Sequence, residues 1–127
     1  MIYTSYWGRV KALEKFGIEP VAISRGRPKG WFGRSIESLC PSWQMLRLPV
    51  DEFYRRYDEQ LARTDPAEVV RELGDEDVAL LCWEKEIGEC HRHRVVDWLR
   101  AAGYVVEEFN PAKVKEERDN GGTMPLF

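Results

Sequence analysis

The run Val78-Ala79-Leu80-Leu81-Cys82 does most to limit what this chain can fold into. It carries no charged or hydroxyl side chain at odd or even positions, so neither face of the strand it predicts can meet water. Strands of that kind occupy the middle of parallel sheets whose two faces are covered by helices.

The rest of the sequence keeps the alternation that such a sheet requires. Met1 to Tyr6 predicts a first strand, and Arg9 to Phe16 a helix with Val10, Leu13 and Phe16 at helical spacing, closed by Gly17. Pro20 to Ser24 predicts a second buried strand. From Arg25 to Ser42 the pattern dissolves into Gly, Pro, basic and aromatic residues, which predicts a long ordered loop. Phe53, Tyr57 and Leu61 then form a helical stripe, read as core, with Arg55, Arg56 and Glu59 facing away. Asp65-Pro66-Ala67-Glu68 is a helix start, with an N-cap, a first-turn Pro and a capping-box Glu; that helix ends at Gly74. A helix from about Glu89 carries Val95, Val96, Trp98, Leu99 and Ala102 inward and stops at Gly103, and Tyr104-Val105-Val106 opens a last strand. The expected class is α/β, a single-domain three-layer sandwich on a small, mostly parallel sheet of about four strands. The domain is placed at residues 1–112 and a polar C-terminal tail at 113–127, with no internal repeat.

A chain of 127 residues is long enough for one domain with a real core. Its net charge of -3 and pI near 5.5 give no global drive toward nucleic acid or anionic membrane, so any polyanion contact must come from a local patch. No apolar stretch approaches a bilayer span and Met1 to Tyr6 lacks a secretory layout, so a cytoplasmic protein without membrane contact is expected. Cys40, Cys82 and Cys90, an odd count, are expected to be reduced thiols.

Parallel α/β sheets bind ligands at the carboxyl ends of their strands. Those ends carry Ser5 and Tyr6, Arg25, and Trp83 with Glu84, joined by the helix start at Cys90-His91-Arg92-His93-Arg94. A helix N-terminus attracts anions and acidifies thiols. Cys90 is therefore a candidate nucleophile, His91 and Glu84 candidate acid/base groups, and Arg92 and Arg25 candidate phosphate binders. The structural alternatives are a small residue at a strand-to-helix turn, solvated arginines, and a Glu84 that only orients an arginine. The tyrosine-phosphatase loop does not fit, because the position where it needs Arg is Val96. Metal binding by Cys82, Cys90, His91 and His93 is disfavoured: closely spaced ligand pairs are absent and the two imidazoles face different sides of a helix. No metal and no cofactor are expected, and Cys82 is read as a buried hydrophobe. The loop from Arg25 through Arg27, Trp31 and Phe32 to Arg34 interleaves basic, glycine and aromatic residues; Arg27 suits a phosphate and Trp31 a base, the alternative being a loop that covers the sheet edge.

Tyr3-Thr4-Ser5-Tyr6, Cys40-Pro41-Ser42-Trp43, and Leu80-Leu81-Cys82-Trp83-Glu84 leading to Cys90-His91-Arg92-His93 and Trp98-Leu99 resemble, in this order, the family named domain of unknown function 488. The resemblance covers most of the chain and is most specific from the strand to Cys-His-Arg. It implies no established reaction. Family members often carry Ala at the place of Cys40, which argues against a general role for that thiol, and another aromatic at the place of Trp83.

The last residues, Met124-Pro125-Leu126-Phe127 behind Gly121-Gly122, look like the short motif that docks bacterial DNA-handling proteins on the sliding clamp, with Thr123 where that motif begins with Gln. Met124, Leu126 and Phe127 would be its apolar anchors; the alternative is a disordered end. Two functions stay open. One is a thiol-dependent enzyme acting on a phosphate-bearing small molecule, a nucleotide or a nucleic acid. The other is a non-catalytic nucleotide or nucleic-acid binding module whose tail recruits a partner.

Overall fold

The computed structural model describes residues 1–85 and 90–122. Its centre is a four-stranded sheet of β1 (Ile2–Tyr6), β2 (Glu19–Ala22), β3 (Val78–Cys82) and β4 (Val106–Glu108), in the order β2-β3-β1-β4 and parallel throughout. The helices are α1 (Val10–Lys15), α2 (Val50–Ala62), α3 (Pro66–Leu73), α4 (Arg92–Ala101) and α5 (Pro111–Gly122). The sequence reading of a small parallel α/β domain is correct.

Every residue of β3 is buried, because β2 and β1 pair with its two edges while helices cover its two faces. Val78 and Leu80 point into a core built with Tyr57 and Leu61 of α2, Val69 and Leu73 of α3, and Val95 and Leu99 of α4. Ala79 and Leu81 point the other way, toward Leu13 of α1 and Val114 of α5. A uniform crossover hand requires this division, since β1 to β2 crosses the sheet in one direction and the two later connections cross it in the other. The result is three layers.

The ends of elements follow the signals in the sequence, with some shifts. Asp65 caps α3 by accepting the Ala67 N–H at 3.0 Å, and Gly74, at φ 86°, leaves the helix in a conformation that only glycine adopts without strain. The Arg34 guanidinium donates to the last α3 carbonyls, Glu72 at 2.7 Å and Leu73 at 2.6 Å, and pairs with Glu19 on β2. It thereby ties the long loop to the sheet. The second strand is Glu19–Ala22, shorter at its end than the expected Pro20–Ser24, because Ser24 turns to accept the Trp7 indole N–H at 3.0 Å and to donate to the Gly26 carbonyl at 2.6 Å. The last strand begins at Val106 instead of Tyr104, whose N–H closes α4 on the Leu99 carbonyl at 3.1 Å.

The polar stretch after Pro111 is helical as far as Gly122. The Asn110 side chain caps it at Ala112 (3.1 Å) and Lys113 (3.3 Å), Val114 is buried, and Arg118 lies over the Phe16 ring at 5.3 Å. Packing against the sheet thus continues beyond residue 112. Met124, Leu126 and Phe127 lie outside the described residues. Among the described residues no helix is long and apolar enough to cross a membrane.

Tyr57 is fully buried and donates its hydroxyl to the Leu39 carbonyl at 2.6 Å, fastening α2 to the loop beneath it. Tyr57→Phe leaves that carbonyl unpaired. Urea unfolding is expected to show a loss of about 1–3 kcal/mol, whereas no loss would mean that water replaces the bond.

Candidate functional site

The neighbouring strands β1 and β3 send their chains off in opposite directions, which is where a parallel sheet usually opens a crevice. Here Trp7 fills it. Its indole is buried, bonded to Ser24, and packed at 4.9 Å on Trp31 and 6.1 Å on Trp83. The opening instead lies beyond the ends of β2 and β3, beside α2, as a cleft of about 460 Å³. Cys82, Cys90 and His91 are its buried reactive lining, Leu46, Leu48, Val50, Phe53 and Tyr54 supply its apolar and aromatic surface, and Arg25, Trp83 and Glu84 are more exposed.

Cys82 ends β3, and Cys90 stands just ahead of α4. The helix starts at Arg92, later than expected (Glu89 lies outside the described residues), so Cys90 is not part of its first turn. The opening turn is tight, with the His93 and Arg94 N–H groups on the Cys90 and His91 carbonyls at 3.3 and 3.0 Å. The expectation of reduced thiols is overturned at this pair: Cys82 and Cys90 form a disulfide, with Cα atoms 6.9 Å apart. Cys82 is buried as expected, but it is more than a hydrophobe. Cys40 is free and buried, and burial pushes its thiol pKa up.

His91 faces the sulfurs. A carbonyl can only accept, so the 2.7 Å contact between Nε2 and the Ile23 oxygen places the ring proton on Nε2. Nδ1 is then a bare lone pair, 3.8 Å from the Cys90 sulfur. Tyr57 and Phe53 hold the ring edge-on, with centroids at 5.0 and 6.4 Å. Burial lowers the His91 pKa to about 4, with the nearby Arg92 charge adding to the effect, so the ring is neutral at pH 7. His93 turns away, toward the Cys90 carbonyl, Arg94 and the Tyr54 ring.

Arg92 does not line the cleft. It is fully buried, its Nε and Nη2 grip Glu108 at 3.0 and 2.8 Å, and its other donors reach the Glu84 carbonyl, the Lys85 carbonyl at 2.7 Å and the Cys82 sulfur at 3.2 Å. Its donors are already committed inside the protein, so the expected phosphate ligand is instead the clamp that shapes the site. Glu84 presents its side chain at the mouth while Arg92 holds its carbonyl.

The other expected residues divide. Arg25 reaches the cleft, anchored on the Pro41 carbonyl at 2.9 Å and on Glu37 at 2.7 Å. Arg27 shares the same Glu37 at 2.9 Å and stays outside the cleft, holding the loop. Hydrogen bonds from Arg27, Ser35 and Arg25 bring the Glu37 pKa down to about 2, so one ionised carboxylate is shared by two guanidiniums, and the exposed Glu84 carboxylate offsets the remaining charge at the mouth. Trp31 packs on Trp7 and does not line the cleft; a Cβ at Gly33 would collide with its ring. Ser5 lies on the opposite sheet face, with Tyr3, and its buried hydroxyl has no hydrogen-bond partner among the described residues. The Arg9 guanidinium lies over the Tyr6 ring, 5.7 Å from the ring centroid, and Tyr6 does not line the cleft. Sequence reasoning missed Leu46, Leu48, Val50 and Tyr54 as cleft lining, and Glu108 as the partner of Arg92. A tyrosine inside the apolar stripe of α2 was the available signal that this helix faces something polar.

Residues 13–103 match the family described as DUF488-N3a, active DUF488-N3 subclade, a span that holds the whole cleft lining and leaves out β1 and β4. No curated protein and no solved structure gives a significant match.

Arg92→Met strands Glu108 and two loop carbonyls, and is expected to cost about 3–5 kcal/mol in denaturant unfolding; a loss below 1 kcal/mol, roughly a surface pair's worth, would contradict the clamp. His91 gives a pH signature. Folded, it titrates at about 4; unfolded, near its ordinary 6.5. Between those values only the unfolded chain takes up the proton, so stability is flat above 6.5 and falls as pH drops toward 4. His91→Gln is expected to flatten that part of the stability profile, and an unchanged slope would show that another group is responsible.

Proposed function

The chain belongs to the DUF488 family, in the subclade described as active, and on that premise we propose that it is a thiol-dependent enzyme acting on a phosphate-bearing substrate with a flat ring, a nucleotide or a nucleic-acid end. The observation that carries the reading is the pairing of Cys90 with His91 inside a cleft. A neutral imidazole whose Nε2–H is fixed on a backbone carbonyl has one basic site left, and that site is 3.8 Å from the Cys90 sulfur. With the disulfide reduced, Nδ1 acts as general base, taking the Cys90 proton only as the sulfur attacks an electrophilic centre.

The cleft suits a ring better than a bare anion. Phe53, Tyr54, Leu48 and Trp83 offer apolar and aromatic surface, which favours a planar heterocycle. Arg25 lies at the cleft, and its guanidinium is the group available to a phosphate there. The proton taken up by His91 Nδ1 is then returned to the leaving group, and the exposed Glu84 carboxylate at the mouth accepts a hydrogen bond from a substrate hydroxyl or amine. A second reading keeps the same ligand without turnover, as a nucleotide or nucleic-acid binding module recruited through its tail. The half-exposed Trp83 and exposed Trp43, both close to Gly26, favour it because they resemble a stacking platform.

The test uses reduced Cys82→Ser protein, in which Cys90 has no partner sulfur. Iodoacetamide is expected to modify Cys90 at least about tenfold faster than the buried Cys40, and His91→Gln to slow it about a hundredfold. Nucleotides are expected to protect Cys90 and to raise the melting temperature. Cys90 reacting no faster than Cys40 would remove the nucleophile; nucleotide stabilisation persisting in that case would leave the binding module.

A further inference from the structure

We infer that, once the Cys82–Cys90 bond is reduced, Cys82, Cys90 and His91 form a three-ligand site for a single thiophilic divalent cation of the zinc type, with its fourth position open to the cleft. Metal binding needs neither turnover nor substrate, so this goes beyond the function proposed above.

The donor set is assembled by the fold, not by local spacing. Cys82 comes from the end of β3, while Cys90 and His91 come from the turn before α4. Their two sulfurs and one imidazole nitrogen lie within 4.8 Å of one another, all on buried residues. The orientation of His91 is that of a metal ligand. Its Nε2–H donates to the Ile23 carbonyl at 2.7 Å, which fixes the ring and turns the Nδ1 lone pair toward the sulfurs. An outer-shell acceptor of this kind accompanies nearly every metal-bound histidine.

Distances permit the ion. Zinc with sulfur at about 2.3 Å and nitrogen at about 2.0 Å in a tetrahedron sets sulfurs about 3.8 Å apart and sulfur about 3.5 Å from nitrogen. Cys90 Sγ and His91 Nδ1 already stand 3.8 Å apart. The sulfurs must separate, and the Cα distance of 6.9 Å gives them room, lying just beyond the span of about 4.4–6.8 Å usual for a disulfide.

Charge also calls for a cation. Arg92 donates to the Cys82 sulfur at 3.2 Å, but its charge is already balanced by the two-pronged pair with Glu108. Two thiolates side by side in this buried spot would carry two uncompensated negative charges. They can be neutralised by bonding to each other, by protonation, or by one dication. Three protein ligands facing a cleft leave the fourth position accessible, the arrangement of catalytic rather than structural zinc sites.

The experiment titrates cobalt(II) into the full chain, once fully reduced and once with the disulfide intact. The reduced protein is expected to bind one equivalent, with thiolate-to-cobalt charge-transfer absorbance and the intense visible bands of four-coordinate cobalt, and zinc is expected to displace it. The oxidised protein is expected to show neither. Cys82→Ser and Cys90→Ser are expected to weaken binding at least a hundredfold, His91→Gln at least tenfold, and Cys40→Ser not at all. Absence of the charge-transfer band in reduced, folded wild type, or its persistence in Cys82→Ser, overturns the inference. Cys82→Ser also separates the two proposals, since rapid alkylation of Cys90 in that variant supports the nucleophile even where cobalt binding fails.

Discussion

A buried guanidinium organises this molecule. Arg92 begins α4 and reaches back across the top of the sheet to Glu108 at the end of β4, to the Cys82 sulfur at the end of β3, and to the carbonyls of Glu84 and Lys85. Thr4 of β1 closes the circuit by donating to Glu108 at 2.7 Å. An arginine sealed from water is tolerable only with its donors satisfied in this way. The arrangement fixes where β3 ends and where α4 starts, and so fixes the separation of Cys82 from Cys90.

The position of the cleft follows from a second constraint. In the order β2-β3-β1-β4 the crevice of first resort lies between β1 and β3, and Trp7 occupies it. The indole is held by Ser24 below and by Trp31 and Trp83 on its flanks. The free space is displaced toward β2, where α2 supplies Phe53, Tyr54 and Tyr57. The aromatics that support His91 therefore belong to the same stripe that packs α2 on the sheet. Folding and site formation draw on one set of side chains.

Much of this was legible in the chain itself. The unbroken apolar run at Val78–Cys82 required a central parallel strand, and the Asp65-Pro66 start and Gly74 stop placed α3 to the residue. Cys90, His91, Glu84 and Arg25 do meet at one edge, as strand-end logic required. Other features were hidden because they depend on parity, burial or distant partners. Ser5 sits one residue out of phase with the cleft face of β1, and Tyr6 turns its ring under Arg9. Arg92 looked like an anion binder because sequence does not reveal Glu108 across the sheet. The Cys82–Cys90 pairing was invisible for the same reason, since it depends on where β3 and α4 stop, not on the spacing between the cysteines.

The chemistry of the cleft depends on a neutral His91 that aims an unprotonated Nδ1 at the sulfurs. Long-range proton–nitrogen correlation of the ring in the reduced protein at pH 7, free of added metal, reads that state directly. The proton is expected on Nε2, with Nδ1 at the shift of a bare imidazole nitrogen. A proton on Nδ1, or an imidazolium protonated at both nitrogens, would contradict it.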